Sequence, residues 1–140
     1  MRENEEKMIT ILFLYFLTDM TEVDEIRIAN NKIDKIEENA LPSRNSVKRL
    51  VLEGNHVLQI PPLSALEEIQ VDEVAVTKNH FPCNCRVIYL LESVLGRSEH
   101  FLEVNKCISP LTLNGQPMIT MKQNGNLRQC DRNAVLEQGR

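Results

Sequence analysis

The chain contains no tryptophan, few aromatic residues and no cysteine before position 83. Its longest apolar run, Ile11–Leu17, is much shorter than the ~20 residues that a membrane-spanning helix needs. The basic residues are scattered and the formal net charge is −4, so the composition does not indicate a nucleic-acid-binding protein. No Asn-x-Ser/Thr sequence is present, and ordinary N-glycosylation is therefore not expected. These absences favour one domain of modest size with no membrane span in this chain.

Motifs of catalysis are also missing from the sequence. It has no glycine-rich phosphate loop, no metal-binding cluster and no recognisable pairing of a nucleophile with a base. A Cys-x-Cys pair followed by two distant single cysteines is poor spacing for a zinc site. The histidines, which we interpret as loop or surface residues, are His56, His80 and His100. We therefore expect no enzymatic activity, no cofactor and no bound metal.

Two stretches repeat the same apolar pattern with a period of 24, as between Val23 and Val47 (47 − 23 = 24). The pattern fits the template L-x-x-L-x-L-x-x-N-x-L, in which valine and isoleucine can replace leucine. The L-x-L part predicts a short strand with both apolar residues facing inward, and the asparagine predicts a turn whose backbone groups it bonds. The stretches are Val23, Ile26, Ile28, Asn31, Ile33 and Ile36, then Val47, Leu50, Leu52, Asn55, Val57 and Ile60.

A third repeat can be aligned in two registers. One begins at Leu66 and puts Val74 in the asparagine position. The other keeps the period of 24 and places Asn79 there. We choose the second alignment, which consists of Val71, Val74, Val76, Asn79 and Phe81. The asparagines predicted to form structural turns are then Asn31, Asn55 and Asn79.

The segment Met8–Leu17 has two interpretations. Three of its apolar residues, Ile9, Leu12 and Leu17, precede the apolar positions Ile33, Ile36 and Leu41 by the same period (33 − 9 = 24; 36 − 12 = 24; 41 − 17 = 24). A secretory signal is the alternative, although three glutamates accompany Arg2 and Lys7 before it and no small-residue cleavage site follows closely. We favour a partial or degenerate repeat over residues 1–22; the chain is then either a piece of a longer protein or a solenoid that caps itself with residues 1–20.

The four cysteines lie in two blocks and a final single position: Asn79-His-Phe-Pro-Cys83-Asn-Cys85, then Cys107-Ile-Ser-Pro-Leu-Thr-Leu-Asn-Gly115, then Cys130. This pattern resembles the C-terminal cap of extracellular leucine-rich repeat proteins, which is roughly N-P-W-x-C-x-C, a helix, C-x-x-P-x-x-L-x-G and a final C. His80 replaces the usual proline, and Tyr89 takes the place of the tryptophan that the cap helix usually carries.

The resemblance implies a disulfide pairing that the residues alone leave open, since four cysteines permit three pairings. The implied bridges are Cys83–Cys107 and Cys85–Cys130. An apolar stripe at helical spacing over Arg86–Leu95, with Gly96 as a plausible stop, predicts one helix between the bridges. Disulfides imply an oxidising compartment, and hence a secreted protein or the ectodomain of a membrane protein.

The fold class that these observations predict is an α/β solenoid. It would be a right-handed leucine-rich repeat coil of about three turns, with a short parallel concave sheet and a disulfide-bonded cap containing one helix. The predicted organisation is a partial repeat at 1–22, repeats at 23–79, the cap at 80–130 and a loose tail at 131–140.

The outward residues of the predicted strands form columns across the sheet. Two columns alternate in charge, so that neighbours attract: Glu25, Arg49 and Glu73, and Asp24, Lys48 and Asp72. The candidate concave face comprises Glu25, Arg27, Ala29, Arg49, Val51, Glu53, Glu73, Ala75 and Thr77. We expect a ligand contact at Val51, beside Arg27, where Val51→Asp would weaken binding without unfolding the chain. The simpler interpretation is that the charges satisfy one another and keep the face soluble.

The resemblance implies a non-catalytic protein–protein interaction module of an extracellular protein, with an unidentified protein as its partner. The alternative is a structural capping fragment of a larger matrix, adhesion or receptor protein that has no ligand of its own. For this alternative, three turns would give only a small concave surface, below the ~800 Å² per partner of a standard interface.

Overall fold

The computed structural model of the protein describes residues 11–12, 22–30, 35–36 and 46–140. The strands are β1 (Ile11–Leu12), β2 (Glu22–Ala29), β3 (Lys35–Ile36), β4 (Ser46–Glu53), β5 (Val71–Thr77), β6 (His80–Pro82) and β7 (Lys106–Ser109). The α-helices are α1 (Leu63–Glu67), α2 (Val87–Glu92), α3 (Phe101–Val104), α4 (Ile119–Gln123) and α5 (Arg132–Gln138). Short 3-10 helices occupy Val94–Arg97, Leu111–Leu113 and Asn126–Gln129.

Strands β2, β4 and β5 form a parallel sheet in that order. Ile26 lies opposite Leu50 and Leu50 lies opposite Val74, so each step across the sheet is one period of 24 (50 − 26 = 24; 74 − 50 = 24). The predicted spacing is confirmed as the strand register, and so is the alignment chosen for the third stretch. The register that began at Leu66 is wrong, because this residue belongs to helix α1.

The same spacing joins β1 to β3, where Leu12 pairs with Ile36. This pairing is the one that the repeat interpretation of Met8–Leu17 predicts. The rest of that segment lies outside the described residues, and so does Asn31.

The predicted solenoid is wrong. The described strands fall into three small parallel sheets, β1–β3, β2–β4–β5 and β6–β7, joined by short helices, and they do not form one coil. The period of 24 ends after β5, because His80 pairs with Lys106 (106 − 80 = 26) and Pro82 pairs with Ser109 (109 − 82 = 27). An irregularity between Phe81 and Pro82 accompanies the change. The extra residues lie between β6 and β7 and the irregularity lies within β6, so the last sheet does not continue the register of the first two. The chain is therefore a small α/β fold.

The region expected to contain one helix has several. Helix α2 lies inside the predicted segment, but it ends at Glu92 rather than at Gly96. The Ser93 hydroxyl donates a hydrogen bond to the Leu90 carbonyl at 2.8 Å and accepts one from the Leu95 amide at 3.2 Å. This side chain therefore closes α2 and starts the 3-10 helix that follows. Helices α3 and α4 come later in the same region.

The tail at 131–140, expected to be loose, forms helix α5 and packs on the body of the protein. The Gly139 carbonyl accepts a hydrogen bond from the Ser64 amide at 3.0 Å, and Arg140 Nε donates one to Glu67 Oε1 at 3.2 Å. The apolar residues of α5 that pack against the core are Val135 and Leu136. Both side chains are partly buried, and this contact holds the tail in place. The largely polar composition of residues 131–140 did not indicate it.

One hydrophobic core runs from the inner face of the β2–β4–β5 sheet to the disulfide-bonded region. Ile28 and Leu50 are fully buried on the sheet, and Leu90 and Met118 are fully buried beyond it. The rings of Phe81 and Phe101 lie 5.9 Å apart in the same core. In the described part of the chain, every helix is too short or too polar to cross a bilayer.

Candidate functional site

A ladder of buried asparagines connects the ends of the strands. Asn79 Nδ2 donates to the carbonyls of Leu52 and Thr77 at 3.0 and 3.1 Å, and Asn79 Oδ1 accepts from the Asn55 amide at 3.0 Å. Asn55 and Asn79 are each 1 % exposed. Because a buried turn leaves backbone groups without water, these bonds satisfy groups that would otherwise be costly to bury. The turn role predicted for both residues agrees with this geometry.

A third asparagine, Asn105, extends the ladder and was not predicted. Its Oδ1 accepts from the Asn79 backbone amide at 3.0 Å, and its Nδ2 donates to the carbonyls of Val76 and Phe101, each at 2.8 Å. Asn105 is fully buried. Its signal in the sequence is its offset from Asn79 (105 − 79 = 26), which is also the offset that relates Phe81 to Cys107 (107 − 81 = 26).

The outward face of the sheet is a network of ion pairs. Arg49 lies between Glu25 and Glu73, with nitrogen–oxygen distances of 3.8 and 4.0 Å. Arg27 contacts Glu25 at 3.2 Å and Glu53 at 3.3 Å. The alternating column predicted from the sequence is therefore assembled, and its charges satisfy one another. Exposed pairs of this kind contribute only ~0.2–1 kcal/mol each, so they add little to the stability of the fold.

The second predicted column is only partly connected. Lys48 Nζ lies 3.7 Å from Asp24, but no ion pair of the described residues joins it to Asp72. A further cation, Lys78, lies 3.8 Å from Glu53. The end of the face near β5 therefore keeps a carboxylate, that of Asp72, outside the ion-pair network of the described residues.

Val51 is not the accessible contact that the sequence suggested. It is 3 % exposed, and Ala29 on the same face is 1 % exposed. Val51 lies in register between Arg27 and Ala75, and a short apolar side chain in the middle strand is screened by its longer neighbours. This burial argues against the expectation that Val51→Asp would leave folding intact, because the change would place a carboxylate at a buried position.

The accessible part of the face is an open groove of about 640 Å³ beside β5. Its lining combines apolar side chains with charges of both signs. One wall comes from the sheet and consists of Arg49, Asp72, Glu73, Val74, Ala75 and Thr77. The other wall comes from the segment after α2 and consists of Val94, Arg97, Ser98, Glu99, His100 and Val104. Four residues of the predicted face thus line the groove, whereas the second wall was not predicted.

The second wall is fastened to β5 by hydrogen bonds. The Ser98 hydroxyl accepts from the Val76 amide at 2.7 Å, and the Val104 carbonyl accepts from the Lys78 amide at 2.7 Å. Ser98 is itself buried, at 5 % exposure. These bonds join the wall to the C-terminal half of β5 and leave the groove open along the N-terminal half.

A second feature is a column of basic side chains across β6 and β7. His80 lies in register with His56 on one side and with Lys106 on the other, and the two imidazole rings are 4.4 Å apart. Nδ1 of His80 is buried and has no hydrogen-bond partner among the described residues. Burial, with smaller contributions from the positive charges of His56 and Lys106, lowers the pKa of His80 below its ordinary value of 6.5. His56 is exposed, as predicted for the histidines, but His80 is half-buried.

The cysteines form the bridges Cys83–Cys107 and Cys85–Cys130, which is the pairing implied by the family resemblance. The first bridge is buried in the core and the second lies nearer the surface. Over the part of the chain that the structure describes, no three histidine, cysteine or acidic side chains are grouped to hold a metal ion.

Comparison of the chain with known protein families, with curated proteins and with solved structures finds no match. The resemblance of the cysteine pattern to the leucine-rich repeat cap therefore stays a prediction.

Proposed function

We propose that this chain is a non-catalytic protein-recognition module of an extracellular protein and that it binds its partner in the groove beside β5. The observation that carries the proposal is the continuity of the groove with the ordered charges of the sheet face. Arg49 and Glu73 belong to both, and Arg49 lies within ion-pair distance of Glu25 and of Glu73.

The chemistry of the groove suits a protein partner. Its lining includes the apolar residues Ala75 and Val94 together with charged residues of both signs. Protein interfaces combine an apolar centre with a polar rim in the same way. The two disulfides fit an oxidising compartment, which supports the extracellular assignment and the relation to proteins with similar cysteine caps.

Binding of the disulfide-bonded chain to an array of purified extracellular protein domains tests this proposal. We expect a small set of binders whose signal falls at least about tenfold with Arg97→Glu, because the change reverses a charge on the groove wall. The matched control is Arg128→Glu, the same change at an exposed arginine outside the groove, which should keep the signal within about twofold.

Two results would count against the proposal. An array without binders would favour the structural role, in which the chain stabilises a larger protein and has no ligand of its own. Binders that respond equally to Arg97→Glu and Arg128→Glu would place the contact surface elsewhere on the chain.

A further inference from the structure

Strand β5 is an edge strand of its sheet. On the side that faces away from β4, only the C-terminal half of β5 has its backbone groups paired. The outward backbone groups of Val76 are paired, because its amide donates to Ser98 Oγ and its carbonyl accepts from Asn105 Nδ2. The Lys78 amide is paired with Val104 in the same direction. The edge is therefore closed from Val76 onward.

The N-terminal half of this edge is different. Backbone groups alternate in direction along a strand, so those of Asp72 and Val74 point the same way as those of Val76. Within the described residues, no hydrogen bond joins the outward side of either residue to the segment that covers Val76. Both residues line the groove. The groove thus contains a stretch of strand edge whose donors and acceptors are available to another chain.

We infer that the partner is recognised through an extended peptide segment that adds to β5 as a further strand along Asp72–Val74. This inference rests on the proposed function, since it specifies how a protein partner would enter the same groove. Main-chain hydrogen bonds to the free edge supply affinity in such complexes, and side-chain contacts with the walls supply specificity. The second wall stops the added strand at Val76, so the paired stretch is short.

The charges of the walls specify the chemistry of this peptide. Glu73 is paired with Arg49, and Glu99 lies 3.4 Å from His100. Among the ion pairs of the described residues, none includes Arg97. An exposed guanidinium on the groove wall is complementary to a carboxylate. The added strand therefore carries at least one acidic residue, which contacts Arg97, and a basic residue where it passes the carboxylate of Asp72, which is likewise in no ion pair of the described residues.

Peptides selected from a displayed random library of twelve-residue sequences, with the complete disulfide-bonded chain as bait, provide the probe. We expect enriched peptides to be extended and to contain an acidic residue. Methylating the peptide backbone nitrogens one at a time should weaken binding about tenfold at the two positions, two residues apart, whose amides bond to the Asp72 and Val74 carbonyls, and by less than about twofold at the others. Only the amides that face β5 lose a hydrogen bond when they are methylated.

Variants at Val74 give the matched test on the protein side. Val74→Pro removes the outward amide donor, on the side of an edge strand where proline is tolerated, and should weaken the peptide about three- to tenfold. Val74→Ala keeps the donor while it trims the same side chain, and should stay within about twofold. The Val74 amide signal of the labelled wild-type chain should become protected from hydrogen exchange when the peptide binds.

The results of these experiments distinguish a failure of strand addition from a failure of the proposed function. Peptides that need Arg97 but show no alternation in the methylation scan would overturn strand addition and leave protein recognition in place. Enrichment of no peptide would also overturn strand addition, and if the array of extracellular domains is negative too, both proposals fail. A free chain that sediments as a dimer, and as a monomer after Val74→Pro, would show that a second copy occupies the edge and would overturn the peptide.

Discussion

Asn79 connects the ends of β4 and β5 with Asn105, which immediately precedes β7. Its side chain accepts from Asn55 and donates to the backbone of β4 and β5, and its own amide bonds to Asn105. Asn79→Ala leaves several buried groups unpaired, so we expect a loss of about 2–4 kcal/mol in the free energy of unfolding. Urea titration followed by circular dichroism measures this loss.

The control for that change is Asn114→Ala. Asn114 is exposed, and its Nδ2 donates one hydrogen bond, to the Ile108 carbonyl at 2.9 Å. We expect a loss below about 1 kcal/mol. Equal losses for the two variants would mean that the ladder is not the main support of the strand ends.

The environment of His80 predicts a dependence of stability on pH. Burial, with the charges of His56 and Lys106, lowers the pKa of folded His80 below the value of 6.5 that it regains on unfolding. Between these two values the unfolded chain binds more protons than the folded chain. The contribution of His80 is therefore complete above pH 6.5 and decreases as the pH falls from there toward the folded pKa.

Urea unfolding at pH 7.5 and at pH 5.0 tests this dependence. We expect His80→Gln to lose less stability than the wild-type chain over that interval, because the variant lacks the imidazole at position 80. His100→Gln is the control, since it removes an exposed histidine and leaves the environment of His80 intact. An undiminished pH effect in His80→Gln would assign the titration to other groups.

At the scale of elements, helix α5 depends on a close approach at Gly139. A β-carbon at this position would lie 2.8 Å from Leu63 Cβ and 2.8 Å from the Tyr89 ring, so even alanine requires the helix to shift. We expect Gly139→Ala to weaken the docking of α5 and to speed amide hydrogen exchange over residues 132–138. Gln138→Ala changes an exposed neighbour and should leave the exchange rates close to those of the wild-type chain. Similar rates in both variants would show that the tail is held elsewhere.

The elements that could be predicted from the sequence are those with a long repeating pattern. The period of 24 places Leu50 between Ile26 and Val74, because residues that share a sheet position must share a register. Helices α3 and α4 have four and five residues, about one turn each, which is too short to show a helical period. The tail was misjudged for a related reason, since α5 carries its core contacts on only two side chains.

Of the two walls of the groove, the sequence predicted residues only in the one that comes from the sheet. The contact between Arg49 and Glu73 was predicted because charges alternate along that column and the 24-residue register makes the two residues neighbours. The opposite wall, with Arg97 and Ser98, follows α2 and reaches β5 by tertiary packing that no local pattern records. The exposure of Val51 was predicted wrongly, because alternation along a strand tells which face a side chain is on but not whether longer neighbouring side chains cover it.

At the scale of the whole molecule, the two disulfides stabilise the fold in different ways. They join residues 24 and 45 positions apart, for which loop-closure entropy alone gives about 3 and 4 kcal/mol. That term favours Cys85–Cys130 as the stronger contribution. Burial favours Cys83–Cys107 instead. Cys107 is fully buried and Cys83 is 6 % exposed, whereas Cys85 and Cys130 are only half-buried.

We expect burial to decide the order. Replacing Cys83 and Cys107 together by alanine removes the cross-link and also opens space in the core beside Phe81, so the loss should exceed that of the Cys85→Ala, Cys130→Ala pair by about 1–2 kcal/mol. Urea unfolding of the two double variants under identical oxidising conditions gives the comparison. If the Cys85–Cys130 variant is the less stable one, restriction of the unfolded chain outweighs packing, and the disulfides act chiefly by tying the C-terminal region to the rest of the molecule.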